Sequence, residues 1–168
     1  MLIQRKLGNI HSSSTNNLVI DKLIIEWYET GKRILHKETE SGNAVILKFL
    51  NENPDLKDGD ILWQDQHAAI AIEIKPCESI VITPGNALET ASICYEIGNR
   101  HLPLFHEGNE LLIPYEAPIH NLLNAAGYKL AIEERKLNNC FKTTVLPHLQ
   151  VAATDSLFSR VNKLSTTI

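Results

Sequence analysis

Apolar residues in the first half of the chain recur at every second position. Leu23, Ile25 and Trp27 alternate with Lys22, Ile24, Glu26 and Tyr28, the period of a strand with one strongly apolar face. Thr30-Gly31 marks a turn, after which residues 32–38 read as a second short strand. Ser41-Gly42-Asn43 turns the chain into a third, from Ala44 to Phe49. A loop bracketed by Asn53-Pro54-Asp55 and Asp58-Gly59-Asp60 precedes Ile61-Leu62-Trp63, and a tight turn near Asp65-Gln66 leads into residues 68–74. No helical period interrupts these strands. Residues 1–76 are therefore expected to form a small all-β domain, sandwich or barrel-like. Lys75-Pro76 is its exit, because proline ends sheet pairing and stiffens a linker.

Beyond Pro76 the rhythm changes. Residues 78–82 read as a strand and residues 86–98 as a helix, with Leu88, Ala91, Cys94 or Tyr95, and Gly98 on one face. Residues 101–105 read as a strand, and Gly108-Asn109 as a hairpin turn into a strand over 110–115. A second helix has Pro118 in its first turn, Ile119, Leu122, Leu123 and Ala126 on one face and Gly127 as its stop. Residues 128–134 supply a last strand. The order βαββαβ is that of a ferredoxin-like domain, placed at 77–148. Residues 149–168 read as a C-terminal tail with a short helix around Ser156 to Leu164. The fold class is thus α+β, an all-β domain followed by a ferredoxin-like one.

Composition narrows the function. A hydrophobic content of 43% and a charged content of 21% are those of a soluble globular protein. The net charge of -4 argues against a phosphate-neutralising surface, so no nucleic-acid partner is expected. Apolar runs such as 68–74 are too short to span a bilayer, and Arg5-Lys6 is followed by no signal-peptide core. These features point to the cytoplasm with no membrane partner. Cys77, Cys94 and Cys140 form no CxxC pair. As thiols in a reducing compartment, Cys77 and Cys94 read as buried small hydrophobes.

No glycine-rich phosphate loop, GxSxG elbow or HExxH helix is present, and carboxylates such as Glu107, Glu110, Glu133 and Glu134 are scattered. No nucleophile, base and orienting group come together, so the protein reads as no enzyme. The chemistry resides instead in Ile93-Cys94-Tyr95-Glu96-Ile97-Gly98-Asn99-Arg100-His101-Leu102-Pro103-Leu104. A helix there passes straight into a strand. Gly98-Asn99 are the residues expected to take left-handed backbone angles and stop the helix. His101 then lies at a chain reversal held by ordered structure on both sides.

The segment Cys94-Tyr95-Glu96-Ile97-Gly98-Asn99-Arg100-His101 resembles the signature of the UreE urease accessory proteins, which are nickel metallochaperones. The resemblance extends more loosely from residue 1 to about residue 148. It implies the same pair of domains in the same order, with His101 as metal ligand at a homodimer interface. It also implies Ni(II) as transported cargo, passed through the accessory GTPase UreG to the urease apoprotein–accessory complex, with the β domain contacting protein partners. Imidazole accepts Zn(II) and Cu(II) as well as Ni(II), so the choice of nickel rests on the resemblance.

One imidazole binds a metal too weakly for selective capture, but on an isologous interface two chains present two to one ion. His148, in Leu146-Pro147-His148, is the tail residue expected to add a ligand, since some UreE proteins place a metal-binding histidine in a similar setting. His106 is a weaker choice, because an odd spacing from His101 along one strand puts the two rings on opposite faces. Certain family members carry two further histidines at positions that here hold Tyr115 and Ala117, so that auxiliary site is expected to be missing. His11, His36, His67 and His120 read as surface residues. The histidine-rich tail of some family members is absent, which implies a site for few ions rather than bulk storage. Two rival readings remain: a urease-assembly adaptor with incidental metal binding, and a small hydrolase using Glu110 or Glu133 with His101.

Overall fold

The computed structural model describes residues 1–12, 18–50 and 54–142. The described residues of the N-terminal half hold seven strands: β1 (Leu2–Ile3), β2 (Gly8–Asn9), β3 (Val19–Ile25), β4 (Ile34–Glu38), β5 (Ala44–Lys48), β6 (Asp60–Gln64) and β7 (Ala68–Ile74). They form a three-stranded sheet ordered β1-β5-β4 and a four-stranded sheet ordered β2-β6-β7-β3. The alternation seen in the sequence is what joins them. Ile3, Leu35, Val45 and Leu47 point inward from the first sheet, and Leu23, Ile25, Ile70, Ile72 and Ile74 from the second, into one core. Two sheets sealed by a shared apolar layer make a small sandwich.

The expected strand through Trp27 stops at Ile25. Trp27–Glu29 is instead a 3₁₀ turn closed by a capping box, in which the Glu26 amide donates to Glu29 Oε2 at 3.0 Å. The Glu29 carboxylate, 7% exposed, also takes Lys37 at 2.6 Å and Lys32 at 3.2 Å. Burial alone would raise its pKa. The amide of Glu26 and the two ammonium groups outweigh it and hold the carboxyl below its ordinary value.

β7 ends at Ile74 and the next strand begins at Cys77, so only Lys75-Pro76 joins the two halves. The second half runs β8 (Cys77–Ile82), α1 (Ala87–Asn99), β9 (Phe105–Glu107), β10 (Glu110–Pro114), α2 (Ala117–Ala125) and β11 (Leu130–Arg135). The antiparallel sheet order is β11-β8-β10-β9. This is the βαββαβ arrangement read from the sequence. Its helix side is closed by Ile80, Ile82, Ile93, Ile97, Leu111, Ile113, Ile119 and Leu123. On α2 the buried pair is Ile119 and Leu123, while Leu122 and Ala126 of the expected face are exposed.

The sheet's other face carries Val81, Phe105 and Leu112, closed by Leu137 and by Trp27 from the β half. The Trp27 and Phe105 rings meet edge to face at 5.7 Å. After β11 the chain crosses to the far edge of the sheet and lies antiparallel to β9. His106 N donates to Asn139 O at 3.0 Å, Phe105 bridges Cys140, and Phe141 N donates to Leu104 O at 2.8 Å. Ion pairs tie this strap to the β half: Lys136 with Asp58 at 3.0 Å and Glu73 at 3.4 Å, and Lys142 with Asp55 at 2.7 Å. No helix among the described residues is long and apolar enough to cross a membrane.

Candidate metal centre

The site grows from the two ends of α1. At its start Asn86 is extended, and its side-chain oxygen accepts the Glu89 amide at 2.9 Å. Glu89 returns the favour, accepting the Gly85 amide at 2.8 Å. Two orphan donors are thereby satisfied, and a carboxylate sits at the positive end of the helix.

The far end closes differently from the sequence-based expectation. Neither Gly98 nor Asn99 takes a left-handed backbone; His101 does, with φ +55°. Its amide donates to Gly98 O at 3.0 Å, and the Leu102 amide donates to Ile97 O at 3.4 Å. Those two bonds define a Schellman closure, with His101 where glycine is usually found. Leu102 packs against the same core as Ile97, which is the apolar contact that accompanies such a closure. Arg100 completes the stop: its guanidinium donates to Glu96 O at 2.7 Å and to Glu96 Oε2 at 2.6 Å. A left-handed conformation costs a side-chain-bearing residue about 1 kcal/mol. Histidine is among the residues enriched there.

The expected strand over 101–105 shortens accordingly. Residues 101–104 are turn and extended loop, and β9 begins only at Phe105. His101 and His106 therefore share no strand, and the odd-spacing rule does not apply to them. His106 is exposed with its ring 5.0 Å from that of Phe141. His101 is exposed at the outer end of the closure.

The face of α1 that carries Leu88, Ala91, Tyr95 and Gly98 is the outer one. Ile93 and Ile97 are fully buried, whereas Leu88 and Tyr95 are 78% and 69% exposed and Ala91 and Gly98 are exposed as well. The helix carries two apolar stripes, and the isoleucines have claimed the core. Ala91, Ser92, Tyr95 and Glu96 with Tyr128 line an open groove of about 570 Å³. A Cβ built on Gly98 would meet nothing within 4 Å, and its backbone is ordinary. Nothing among the described residues thus requires glycine there, although it weakens a helix relative to alanine.

Other sequence-selected residues fall as follows. Tyr115 packs with Leu102 and Leu104 against the helix-side core, its ring 5.9 Å from that of His120. His11, His36 and His67 are exposed, and His11 lies 3.8 Å from Asp58. Cys77 and Cys94 are half-buried rather than fully buried. Burial pushes both thiols up, so they stay protonated at neutral pH and are poor ligands. His148 lies outside the described residues, as do the expected tail helix and the rest of 149–168. Among the described residues no three His, Cys, Asp or Glu side chains converge on a common point. Among the described residues of one protomer, then, His101 belongs to no such group. The roles of Arg100 and Leu102 were missed by sequence reasoning. The i,i+4 spacing of Glu96 and Arg100, and an apolar residue directly after the histidine, were the signals that could have shown them.

Two family models match the chain: the UreE urease accessory protein N-terminal domain over residues 3–75 and its C-terminal domain over residues 78–144. Among curated proteins, the urease accessory protein UreE of Flavobacterium johnsoniae is 38% identical over 162 residues, 96% of this chain and 98% of that protein. The UreE of Acetivibrio thermocellus is 41% identical over 127 residues, 76% of this chain and 82% of that protein. The UreE of Haemophilus influenzae strain PittGG is 37% identical over 145 residues, 84% and 78% of the two chains.

Proposed function

The chain belongs to the UreE urease accessory protein family, and from that premise we propose that it is a cytoplasmic nickel metallochaperone. Two chains form a homodimer in which paired His101 imidazoles hold one Ni(II) on the two-fold axis. Zn(II) and Cu(II) compete for the same rings, because imidazole accepts all three. The cargo passes to the accessory GTPase UreG and on to the urease apoprotein complex. The protein itself catalyses no reaction. Residues 77–148 supply metal and dimer contacts, residues 1–76 the contacts to partners, and 149–168 a tail.

The observation that carries this reading is the surface around His101. An exposed imidazole at φ +55° ends a helix whose outer stripe, Leu88, Ala91, Tyr95 and Gly98, has no cover within the described chain. A second copy turned about a two-fold axis would cover that stripe with its own and bring the two histidines together. Gly98 fits this role, leaving room for close approach three residues before the ligand. Metal and dimer then stabilise one another, since an ion bound by both chains favours the assembled state.

His148 supplies a third ligand in this reading. The strap runs antiparallel to β9, Asn139 beside His106 and Phe141 beside Leu104, so the chain leaves Phe141 heading toward the His101 end. His148 lies seven residues past Phe141, an extended reach of roughly 23 Å. A site of few imidazoles completed by water releases its ion readily, as a carrier requires.

Equilibrium dialysis against Ni(II) tests the centre. Wild type binds about one ion per dimer, and His101→Ala loses most of the affinity. The adaptor reading predicts instead that His101→Ala binds nickel as wild type does and still supports urease assembly.

A further inference from the structure

Arg100 stands between two demands. It directly precedes His101, and it caps the end of α1, where the helix dipole favours a positive charge. A guanidinium left free beside a dication, however, repels it. A two-fold axis doubles the problem. Whatever flanks His101 in one chain flanks it again in the copy, so the ion meets two guanidinium groups and each group meets its twin. Glu96 answers both demands. One turn earlier on α1, its carboxylate accepts Arg100 Nη1 at 2.6 Å, and its carbonyl oxygen accepts the same nitrogen at 2.7 Å. The guanidinium is thereby folded back along the helix with its charge cancelled. The other carboxylate of α1, Glu89, lies in its first turn and takes no part. Glu96 also lines the open groove with Ala91, Ser92, Tyr95 and Tyr128, so the pair lies beside the outer stripe of the helix.

We propose that Glu96 is a positioning residue for the metal centre, holding Arg100 back and neutral so that paired histidines can keep a dication beside it. This rests on the paired-His101 reading above and gives that centre a charge-compensating partner outside its ligand set. The ion pair is exposed, 37% and 42%, and such a pair adds little to folding stability. Without it the helix closure keeps its two backbone bonds and the Leu102 contact. Its effect falls on the field at the site. Uncovering two guanidinium groups roughly 10 Å from a dication lowers affinity about tenfold at low ionic strength. The loss shrinks to about twofold at ~0.15 M, where the Debye length is about 8 Å.

The test is Ni(II) calorimetry on the full-length protein at two ionic strengths. Glutamine at 96 still accepts the guanidinium N–H but carries no charge, so Glu96→Gln changes the field and spares the fold. It binds about tenfold more weakly than wild type at ~0.01 M salt, and within about twofold of it at ~0.15 M. The double variant Glu96→Gln/Arg100→Met, with neither charge, returns to within about twofold of wild type at low salt. Wild-type affinity in Glu96→Gln at low salt, with His101→Ala impaired, overturns the role. A loss that salt does not relieve overturns it too, as does a double variant as weak as Glu96→Gln, because the effect is then one of packing. Wild-type binding in His101→Ala removes the centre itself and this role with it.

Discussion

The two ends of α1 solve the same problem in opposite ways. The start is built for stability: Asn86 and Glu89 exchange caps, and nothing there is strained. The finish places a histidine at φ +55° where glycine would serve better, then secures it with Arg100 across Glu96 and with Leu102 against the core. The first end contributes folding free energy. The second gives some up and leaves one imidazole exposed at the closure. Outliers of this kind gather at binding sites because the surrounding structure over-determines them.

The contrast can be broken from its costliest side first. His101→Ala lowers Ni(II) affinity at least about a hundredfold, ~3 kcal/mol, in calorimetry or dialysis. A change of only a few fold would mean that the strained end serves no metal. Acidification attacks the same rings without mutation. A ligating imidazole must be deprotonated, so protons compete with the metal for both rings and nickel retention falls as the pH is lowered; dialysis at stepped pH reads this directly.

The stability effects are smaller. Asn86→Ala costs about 1 kcal/mol in denaturant unfolding and leaves nickel affinity unchanged. His101→Gly does the reverse, raising stability by about 1 kcal/mol while abolishing the site. If His101→Gly were destabilising, the left-handed histidine would not be a concession to function. The smallest effect sharpens the comparison most. Gly98→Ala raises unfolding stability of the isolated chain by about 0.5 kcal/mol, because its Cβ meets open space. The same change weakens self-association in sedimentation velocity if a second copy packs there.

Much of this architecture is written locally in the chain. Period-two runs such as Leu23, Ile25 and Ile70, Ile72, Ile74 have only one way to bury their apolar sides, so the sandwich strands could be read directly. The βαββαβ order was legible for the same reason. What escaped reading depended on partners distant in sequence. Trp27 leaves its strand because a capping box and the Phe105 ring offer a better position. On α1 two apolar stripes share one helical period, and only the packed sheet decides that Ile93 and Ile97 face it. Gly98-Asn99 hold the better propensity for a left-handed turn, yet Leu102 needs to reach Ile97 and the core. That need moves the closure onto His101. The motif contains the closure, but its mechanics came from the burial of the next residue. The strap beside β9 leaves no local period at all, since its pairing joins residues 139–141 to 104–106.

Crystals of the nickel-loaded protein, examined by anomalous scattering at the nickel edge, test the paired-histidine centre most directly. One peak on a two-fold axis, with a His101 ring nitrogen from each chain about 2.1 Å away, is the result this account predicts. A peak bound by other side chains, with the two His101 rings too far apart to share an ion, would contradict it.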